Sequence, residues 1–311
     1  MSGIIRVFLL PTLLFLAALH ATEPIRPIPV EADYDRQKAE LGKLLFFDPI
    51  LSKDQTLSCA SCHDFEFGGA DRRPVSVGVG KQMGNIQSPT VLNARYNFKQ
   101  FWNGRAENLL EQAAGPIHNP VELDMTPEAV TRRIDDTPFY REQFASIYGS
   151  DLPISYQMIL ETIVEFEKAL TTPNSRFDRY LRGELELSDA EMKGYQTFKT
   201  LGCITCHNGI NIGGNSFQRM GIIHPYRYDE RYPDLYSATH DDLFKNVFKV
   251  PTLRNIELTA PYFHDASAEN LEKAVKIMSH HNLGFTPTDE QVRSLVAFLK
   301  SLTGDLPEIL E

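Results

Sequence analysis

The sequence predicts an all-α fold made of two similar domains, and three observations lead to this expectation. One set of short motifs occurs twice, in the same order, along the 311 residues. Several segments begin with a capping residue or a proline and continue with apolar residues at helical spacing. The strict apolar and polar alternation that is typical of strands is hardly seen. At 42% hydrophobic residues, the chain is long enough to bury two ordinary cores.

Three helix starts are recognisable, because a side-chain oxygen can cap free amides and proline fits the first helical turn. They are Thr126 with Pro127, Ser188 with Glu191, and Thr286 with Pro287 and Asp289. Two segments then show helical spacing of apolar residues, namely Ile159, Ile163, Phe166 and Leu170, and Val292, Leu295, Phe298, Leu299 and Leu302. Pro173 in LTTPNSRF is expected to stop a helix near the middle of the chain.

The internal repeat divides the chain. LGKLLFFDP and SPTVLNA in the first half correspond to KGYQTFKT and VPTLRNI in the second half. The equivalent residues are Gly42 and Gly194, Phe46 and Phe198, Pro89 and Pro251, Thr90 and Thr252, and Asn93 and Asn255. The second copy carries an extra polar loop at 208–248. We therefore predict an N-terminal domain at 22–172 and a C-terminal domain at 173–311.

A Cys-x-x-Cys-His motif lies inside each copy, in TLSCASCHDF and LGCITCHNG, and the two motifs use all four cysteines. The residues are Cys59, Cys62 and His63, and Cys203, Cys206 and His207. A zinc ribbon would need its cysteine pairs closer together, and a thioredoxin-like dithiol would need a βαβ context. Two sulfurs followed by an imidazole instead suit thioether bonds to one porphyrin with a histidine below the iron. The sequence thus predicts two covalently bound haem c groups and two cytochrome-c-like domains.

The first residues predict export. One early cation, Arg6, precedes an apolar run that ends in small residues around Ala21, which is typical of a signal peptide at 1–21. The alternative is an uncleaved anchor, although the run contains Pro11 and is short for a membrane span. Because c-type haem is attached outside the cytoplasm in bacteria, we expect a periplasmic protein.

The charge restricts the partners. The formal net charge is -10 at pH 7, before any haem propionate is counted. Nucleic acid and anionic membrane surfaces carry the same sign and are therefore not expected as partners. A basic electron-carrier protein is compatible with this charge.

The motifs together resemble those of the bacterial diheme cytochrome c peroxidases and their relatives, the methylamine-utilisation diheme enzymes. The resemblance runs from about Leu41 to Gly304. It is carried by LFFDPILSKDQTLSCASCH, PTVLNA, QFWNGRA, EQAAGPIHNPVE, TPNSRFDRYL, GCITCH, PTLRN, TAPYFHD and LEKAVKIM, in this order.

The resemblance implies an enzyme that reduces hydrogen peroxide to water with electrons from a small periplasmic cytochrome c or cupredoxin. The N-terminal haem, with His63 as its proximal ligand, would be the low-potential peroxidatic centre. The C-terminal haem, with His207, would be the high-potential centre at which electrons enter. The resemblance also implies a homodimer.

The resemblance further assigns a peroxide pocket. Glu122 of NPVE would act as the acid and base that moves the peroxide proton. Phe101, Gln112 and Pro116 would line the pocket, and Trp102, the only tryptophan, would lie between the haems and carry electrons. Taken alone, Glu122 is an ordinary loop carboxylate and Trp102 an ordinary core anchor. His118 is close to Glu122 in sequence, without a specific argument for a role.

Met278 of LEKAVKIM would be the sixth ligand of the C-terminal haem, because a thioether favours ferrous iron. From its helical spacing alone, Met278 could equally be an ordinary core residue. Met220 is an alternative candidate for the sixth ligand. His264 of PYFHD is either a histidine near the haem propionates or a satisfied buried histidine. His280 and His281 are expected in a polar loop.

The chain departs from the family pattern after the first haem motif. Most of these peroxidases carry Ser-x-Gly-His-Gly there, and that histidine caps the peroxidatic iron until the other haem is reduced. Here the loop is SVGVG with Val79 at the ligand position, and a valine cannot coordinate iron. We expect no histidine cap and little need for reductive activation, with Met83 or water as alternative ligands.

A second departure concerns calcium. The family holds one calcium ion between the domains through an asparagine side chain and backbone carbonyls. Here Gln87 replaces the asparagine, and Thr259 and Pro261 would provide the carbonyls. Glutamine has the same amide oxygen on a longer side chain, so the calcium site stays an expectation.

Two other functions stay open at the sequence level. One is a diheme oxidase that uses peroxide to oxidise a partner protein. Met278 in place of a tyrosine argues against this function, and Val79 in place of the capping histidine argues for it. The other is a diheme electron carrier without catalysis, which would not need Glu122 or an open iron.

Overall fold

The computed structural model describes residues 23–311, and the chain there is mostly helical. The helices are α1 (Arg36–Phe47), α2 (Leu109–His118), α3 (Pro127–Asp135), α4 (Pro138–Tyr148), α5 (Tyr156–Ala169), α6 (Arg176–Leu181), α7 (Asp189–Thr200), α8 (Leu235–Thr239), α9 (Leu271–Met278) and α10 (Asp289–Lys300). Strands β1 (Phe217–Arg219) and β2 (Val247–Lys249) form one antiparallel ribbon. The all-α class is confirmed. The signal peptide predicted at 1–21 lies outside the described residues.

Each half of the chain has a hydrophobic core around one pair of packed helices. In the first half α1 packs on α5, and in the second half α7 packs on α10. The apolar residues predicted on α5 and α10 are buried in these cores, since Ile159, Phe166, Phe298 and Leu302 are each 0% exposed. The helical periodicity therefore identified the core faces correctly.

The sequence repeat is a structural repeat. A Cβ atom on Gly42 would overlap the backbone oxygen of Thr162, and one on Gly194 would overlap the backbone oxygen of Ser294. In both halves a glycine thus lets the helix before the haem motif lie directly on the backbone of the partner helix.

The two copies converge on one residue at their junction. Asn93 and Asn255, which are equivalent in the repeat, both have positive φ angles, of 61° and 57°. The side-chain amides of both asparagines donate to the hydroxyl oxygen of Thr172, at 2.7 and 2.8 Å. Thr172 is 2% exposed, so this junction is buried.

The terminal segments each pack against the core of the opposite half. Ile25 belongs to the core formed by α7 and α10, and Ile309 packs with Phe46 and Phe166 of the first half. The peptide N–H of Ile28 donates to Asp178 at 3.2 Å, which fixes the N-terminal segment against the second half.

Two of the three predicted helix starts are confirmed. Thr126 caps α3 and Ser188 caps α7 with a capping box. The third prediction is wrong by two residues, because Thr288 rather than Thr286 is the N-cap of α10. Thr288 exchanges hydrogen bonds with Gln291, which completes a capping box that the earlier threonine cannot form.

The polar loop predicted at 208–248 contains local structure. It holds α8 and the ribbon of β1 and β2, which are too short to show strand periodicity in the sequence. Within residues 23–311, no helix has both the length and the apolar character needed to cross a membrane.

Candidate functional site

One cavity of about 620 Å³ runs between the two halves of the chain. All six residues of the two Cys-x-x-Cys-His motifs line it: Cys59, Cys62, His63, Cys203, Cys206 and His207. The structure thus brings both predicted haem-attachment motifs to one internal space, although 139 residues, 64–202, separate them in sequence.

The two motif histidines have the same hydrogen bond. His63 Nδ1 lies 3.1 Å from the backbone oxygen of Gly69, and His207 Nδ1 lies 3.3 Å from that of Ile212. Because a carbonyl only accepts, Nδ1 carries the proton and Nε2 keeps its lone pair for a metal. Burial lowers the pKa of both imidazoles, to about 4 for His207, which favours the neutral ligand form.

The cysteines suit thioether attachment better than thiolate chemistry. Burial raises the pKa of Cys59 to about 12 and that of Cys203 to about 11. A redox dithiol or a zinc site needs readily formed thiolates. Among the residues that the structure describes, no cluster of three or more Cys, His, Asp or Glu side chains is suited to a bare metal ion. The residues therefore fit covalent haem.

Helix α2 and the turn after it provide one wall of the cavity. Gln112 and Pro116 lie four residues apart on α2 and share a face. Phe101 precedes this helix with a positive φ angle of 65°, and its ring packs against Gly115. Glu122 follows the helix, and all four predicted pocket residues line the cavity.

The environment of Glu122 favours proton transfer. Burial raises the pKa of its carboxyl group, while a hydrogen bond from Asn119 Nδ2 at 2.6 Å and the positive charge of Arg105 oppose this rise. The charge of Glu122 also raises the pKa of the Cys59 and Cys62 thiols. A carboxyl group with a raised pKa on the side of the first motif is a suitable acid and base.

Val79 is buried next to the backbone of Glu122 and is not part of the cavity lining. It is 5% exposed, and its peptide N–H donates to the backbone oxygen of Glu122 at 2.9 Å. The histidines that line the cavity are His63, His207 and His264. His118 instead stacks on Tyr156 outside the cavity lining, and Met83 is 60% exposed, also outside it.

Trp102 joins the two halves at the cavity. Its indole N–H donates to the backbone oxygen of Gln87 at 2.8 Å, and its own backbone oxygen accepts from the peptide N–H of Lys249 at 2.8 Å. His264 is 4% exposed, stacks on Phe248 with ring centroids 4.1 Å apart, and meets the Trp102 ring edge to face at 6.2 Å.

Both candidate methionines line the cavity. Met278 is the last residue of α9, and Met220 lies just after β1 and is 7% exposed. The prediction of a polar loop at His280 and His281 is wrong, because the chain continues from α9 as a π-helical turn (Ser279–Leu283). The helix goes on until Gly284 adopts a left-handed conformation.

The three predicted calcium residues, Gln87, Thr259 and Pro261, are all part of the cavity lining. The amide nitrogen of Gln87 approaches the backbone oxygen of Asp71 at 3.5 Å, so its Oε1 is the atom available to a cation. An amide oxygen and carbonyls are ligand types that calcium accepts.

Four charged residues of the lining were missed by the sequence analysis, namely Arg105, Glu167, Arg219 and Lys249. Arg105 packs its guanidinium over the Phe101 ring at 3.4 Å. Lys249 and Glu167 are 7% and 4% exposed; burial lowers the pKa of Lys249 to about 8 and raises that of Glu167 to about 8. Lys249 lies two residues before Pro251, and Gln87 lies two residues before the equivalent Pro89. Comparison of the two repeat copies could therefore have identified Lys249 as a counterpart of Gln87.

Comparison with known families gives matches to both halves. A family model described as di-haem cytochrome c peroxidase matches residues 36–186. A cytochrome c family model matches residues 191–303. Each matched range contains one Cys-x-x-Cys-His motif.

Similar proteins agree with these matches. The chain is 47% identical to cytochrome c551 peroxidase of Nitrosomonas europaea over 93% of this chain and 86% of that protein. It is 42% identical to cytochrome c peroxidase Ccp of Escherichia coli over 92% of this chain, but spans 62% of that protein's length. A solved structure of a MauG-like protein associated with microbial copper homeostasis matches with a TM-score of 0.80 and 28% identity, covering 90% of this chain and 93% of the other.

Proposed function

The chain belongs to the di-haem cytochrome c peroxidase family and is an enzyme with two c-type haems, and we propose that it reduces hydrogen peroxide to water. The reaction takes up two electrons and two protons and releases two waters. When bound, the haems would supply the redox chemistry: the C-terminal haem, held by Cys203, Cys206 and His207, would receive electrons, and the N-terminal haem, held by Cys59, Cys62 and His63, would serve the reduction of peroxide. The observation that carries the proposal is the half-buried Glu122 carboxylate on the cavity wall, on the side of Cys59 and Cys62.

Glu122 moves the proton in this proposal. Its carboxylate takes a proton from one oxygen of hydrogen peroxide and returns it to the other oxygen. When the bond between the oxygens breaks, this second oxygen leaves as water. The Asn119 amide holds the carboxylate in place. Phe101, Gln112 and Pro116 shape the pocket and limit the access of bulk water.

The attachment roles follow from the two motifs. We propose thioether bonds at Cys59 and Cys62 and at Cys203 and Cys206, with His63 and His207 as proximal ligands. Met278 is proposed as the sixth ligand of the C-terminal haem, Trp102 as the residue that carries electrons between the halves, and His264 as a neighbour of the propionates. The proposal places the domain boundary between 172 and 173.

The setting of the enzyme is also a proposal. We propose export through residues 1–21, a periplasmic location and a small cytochrome c or cupredoxin as the electron donor. The net charge of -10 supports a basic donor. A homodimer is proposed by similarity to the family.

The deciding experiment mixes one equivalent of hydrogen peroxide with the fully oxidised protein and, separately, with the one-electron-reduced protein in a stopped-flow spectrometer. Since Val79 cannot coordinate iron, we expect the oxidised protein to react as promptly as the half-reduced protein. Reaction of the half-reduced form alone would show that another ligand closes the site. Absence of reaction in both forms, and of turnover with a chemical electron donor, would refute the peroxidase and leave an electron carrier.

A second candidate function is the oxidation of a partner protein with peroxide, which Val79 favours and Met278 opposes. The MauG-like structural relative keeps this candidate in view. Steady-state turnover of peroxide with a small reduced donor and no partner protein supports the peroxidase. Peroxide consumption that requires a partner protein would support the oxidase.

We also propose a calcium ion held by Gln87 Oε1 with the backbone oxygens of Thr259 and Pro261. The wall position of all three residues supports this site. Metal analysis of dialysed protein should find one calcium per chain, and its absence would remove the proposal.

A further inference from the structure

Lys249 is a buried cation without an anionic partner in the protein. It ends strand β2 and is 7% exposed. Over residues 23–311, no carboxylate oxygen lies within 4.0 Å of its ammonium nitrogen, and that nitrogen makes no hydrogen bond to the chain. Isolating a charge in this way is costly, so a partner is expected on the side that the residue faces.

The side chain faces the cavity at the junction of the two halves. Lys249 lines the cavity and holds the position in the second copy that Gln87 holds in the first. Trp102 lies between these two equivalent residues, bonded through its indole to Gln87 and through its backbone oxygen to Lys249. The backbone of Lys249 is therefore held beside Trp102, on the wall of the cavity that both Cys-x-x-Cys-His motifs line.

The protein itself offers little negative charge in this space. In the described part of the chain, the carboxylates of the cavity lining are Glu122 and Glu167, and burial raises the pKa of both. Neither forms an ion pair with Lys249. Each c-type haem brings two propionates, which are the carboxylates that two haems add to this cavity.

We propose that Lys249 forms an ion pair with a haem propionate at the junction of the two halves and thereby raises the reduction potential of that haem. The negative charge of a propionate disfavours the reduction of ferric to ferrous iron. The positive charge of a neighbouring ammonium group offsets this effect. The inference rests on the presence of two c-type haems and does not depend on the peroxidase reaction.

The test compares three variants of the haem-loaded protein. Lys249→Gln removes the charge, Lys249→Arg keeps it, and Lys273→Gln removes an exposed lysine of the same half as a matched control. Spectroelectrochemical titration without peroxide measures both haem potentials, and resonance Raman spectroscopy measures the propionate bending bands.

We expect Lys249→Gln to lower the equilibrium constant for reduction of one haem by about tenfold, or ~59 mV, and to shift one propionate band. Lys249→Arg should keep both potentials near those of the wild type. Potentials of Lys249→Gln that match the Lys273→Gln control, or an equal fall in Lys249→Arg, would overturn the proposal.

The Lys249→Arg variant provides a second test in case Lys249→Gln takes up haem poorly. In Lys249→Arg the guanidinium group replaces the ammonium group at the same propionate, which should shift its bending band. An unchanged band in that variant would overturn the ion pair. Because no peroxide is present, a protein that failed as a peroxidase would still give a clear answer.

Discussion

At the residue scale, Glu122 is the side chain whose surroundings matter most for the proposed reaction. Burial favours its neutral form, whereas the Asn119 amide and the Arg105 charge favour its ionised form. These opposing influences let one group both accept and return a proton near its own pKa. The packing of Arg105 on Phe101 holds the cation on the same wall.

Replacing the carboxylate tests its role directly. Glu122→Gln keeps the size of the side chain but cannot take a proton, so we expect kcat for peroxide reduction to fall by about 10²–10⁴-fold. Steady-state turnover with a chemical electron donor measures the effect. Glu142→Gln, on an exposed part of α4, should turn over like the wild type. Equal rates for the two variants would remove Glu122 from the mechanism.

The pH profile should report the pKa of the same group. The base acts when deprotonated, so activity is lost as pH falls through the raised pKa of Glu122, above the 4.5 of an exposed glutamate. Asn119 stabilises the ionised form, and Asn119→Ala should therefore move the acid limb of kcat to higher pH. An acid limb that stays in place would show that this limb belongs to another group.

The sequence identified most of the cavity residues, since order and spacing mark the two Cys-x-x-Cys-His motifs and the family motifs mark Glu122 and Trp102. It missed Lys249 and Glu167, because their significance lies in burial, which depends on contacts between distant parts of the chain. In the sequence alone, Lys249 cannot be distinguished from a surface lysine, because its burial depends on neighbours in the fold.

At the scale of secondary-structure elements, one arrangement is used twice. A helix before each haem motif packs through a glycine onto a helix near the end of its half. This close packing places the following cysteine motif at the cavity. The positions of Gly42 and Gly194 were visible as a repeat, but the reason for glycine required the backbone of the partner helix.

Adding one methyl group at either glycine should be destabilising. Alanine is the better helix former, yet its Cβ would overlap the partner backbone, so Gly42→Ala and Gly194→Ala should each lower the free energy of unfolding by about 1–3 kcal/mol. Chemical denaturation followed by circular dichroism measures this. Gly84→Ala, where a Cβ meets ordinary contacts, should be neutral. Stabilities like that of this control would contradict the packing argument.

The elements that the sequence did not predict are short or depend on context. Three-residue strands such as β1 have no periodicity to detect. The helical turn at His280 and His281 continues α9 although both residues are weak helix formers, because hydrogen bonding along the helix extends to Gly284. The caps of α3 and α7 depend only on local side chains, and they were predicted correctly.

At the scale of the whole molecule, the terminal segments bind the two halves together. The N-terminal segment reaches the second half, where Arg254 donates to the backbone oxygen of Arg26 at 2.9 Å and to Asp178 at 2.6 Å. The side chains of Arg254 and Asp178 are both 0% exposed. A buried ion pair thus fastens the start of the described chain.

Breaking this pair should destabilise the protein strongly. Arg254→Gln leaves the buried Asp178 charge uncompensated, and we expect a loss of about 3–5 kcal/mol in the free energy of unfolding. Urea denaturation measures the loss, and the exposed substitution Lys273→Gln should show none. A loss in Arg254→Gln no larger than in that control would show that the Asp178 charge is satisfied elsewhere.

The shared hydroxyl of Thr172 has a consequence for the speed of the reaction. Electron tunnelling slows steeply as the gap between donor and acceptor widens, so hinge motion between the halves would make the transfer rate fluctuate. Instead, Asn93 from the first half and Asn255 from the second half both donate a hydrogen bond to the same buried oxygen atom. We therefore expect these two hydrogen bonds to restrain hinge motion, so that the distance between the two proposed haem sites varies little.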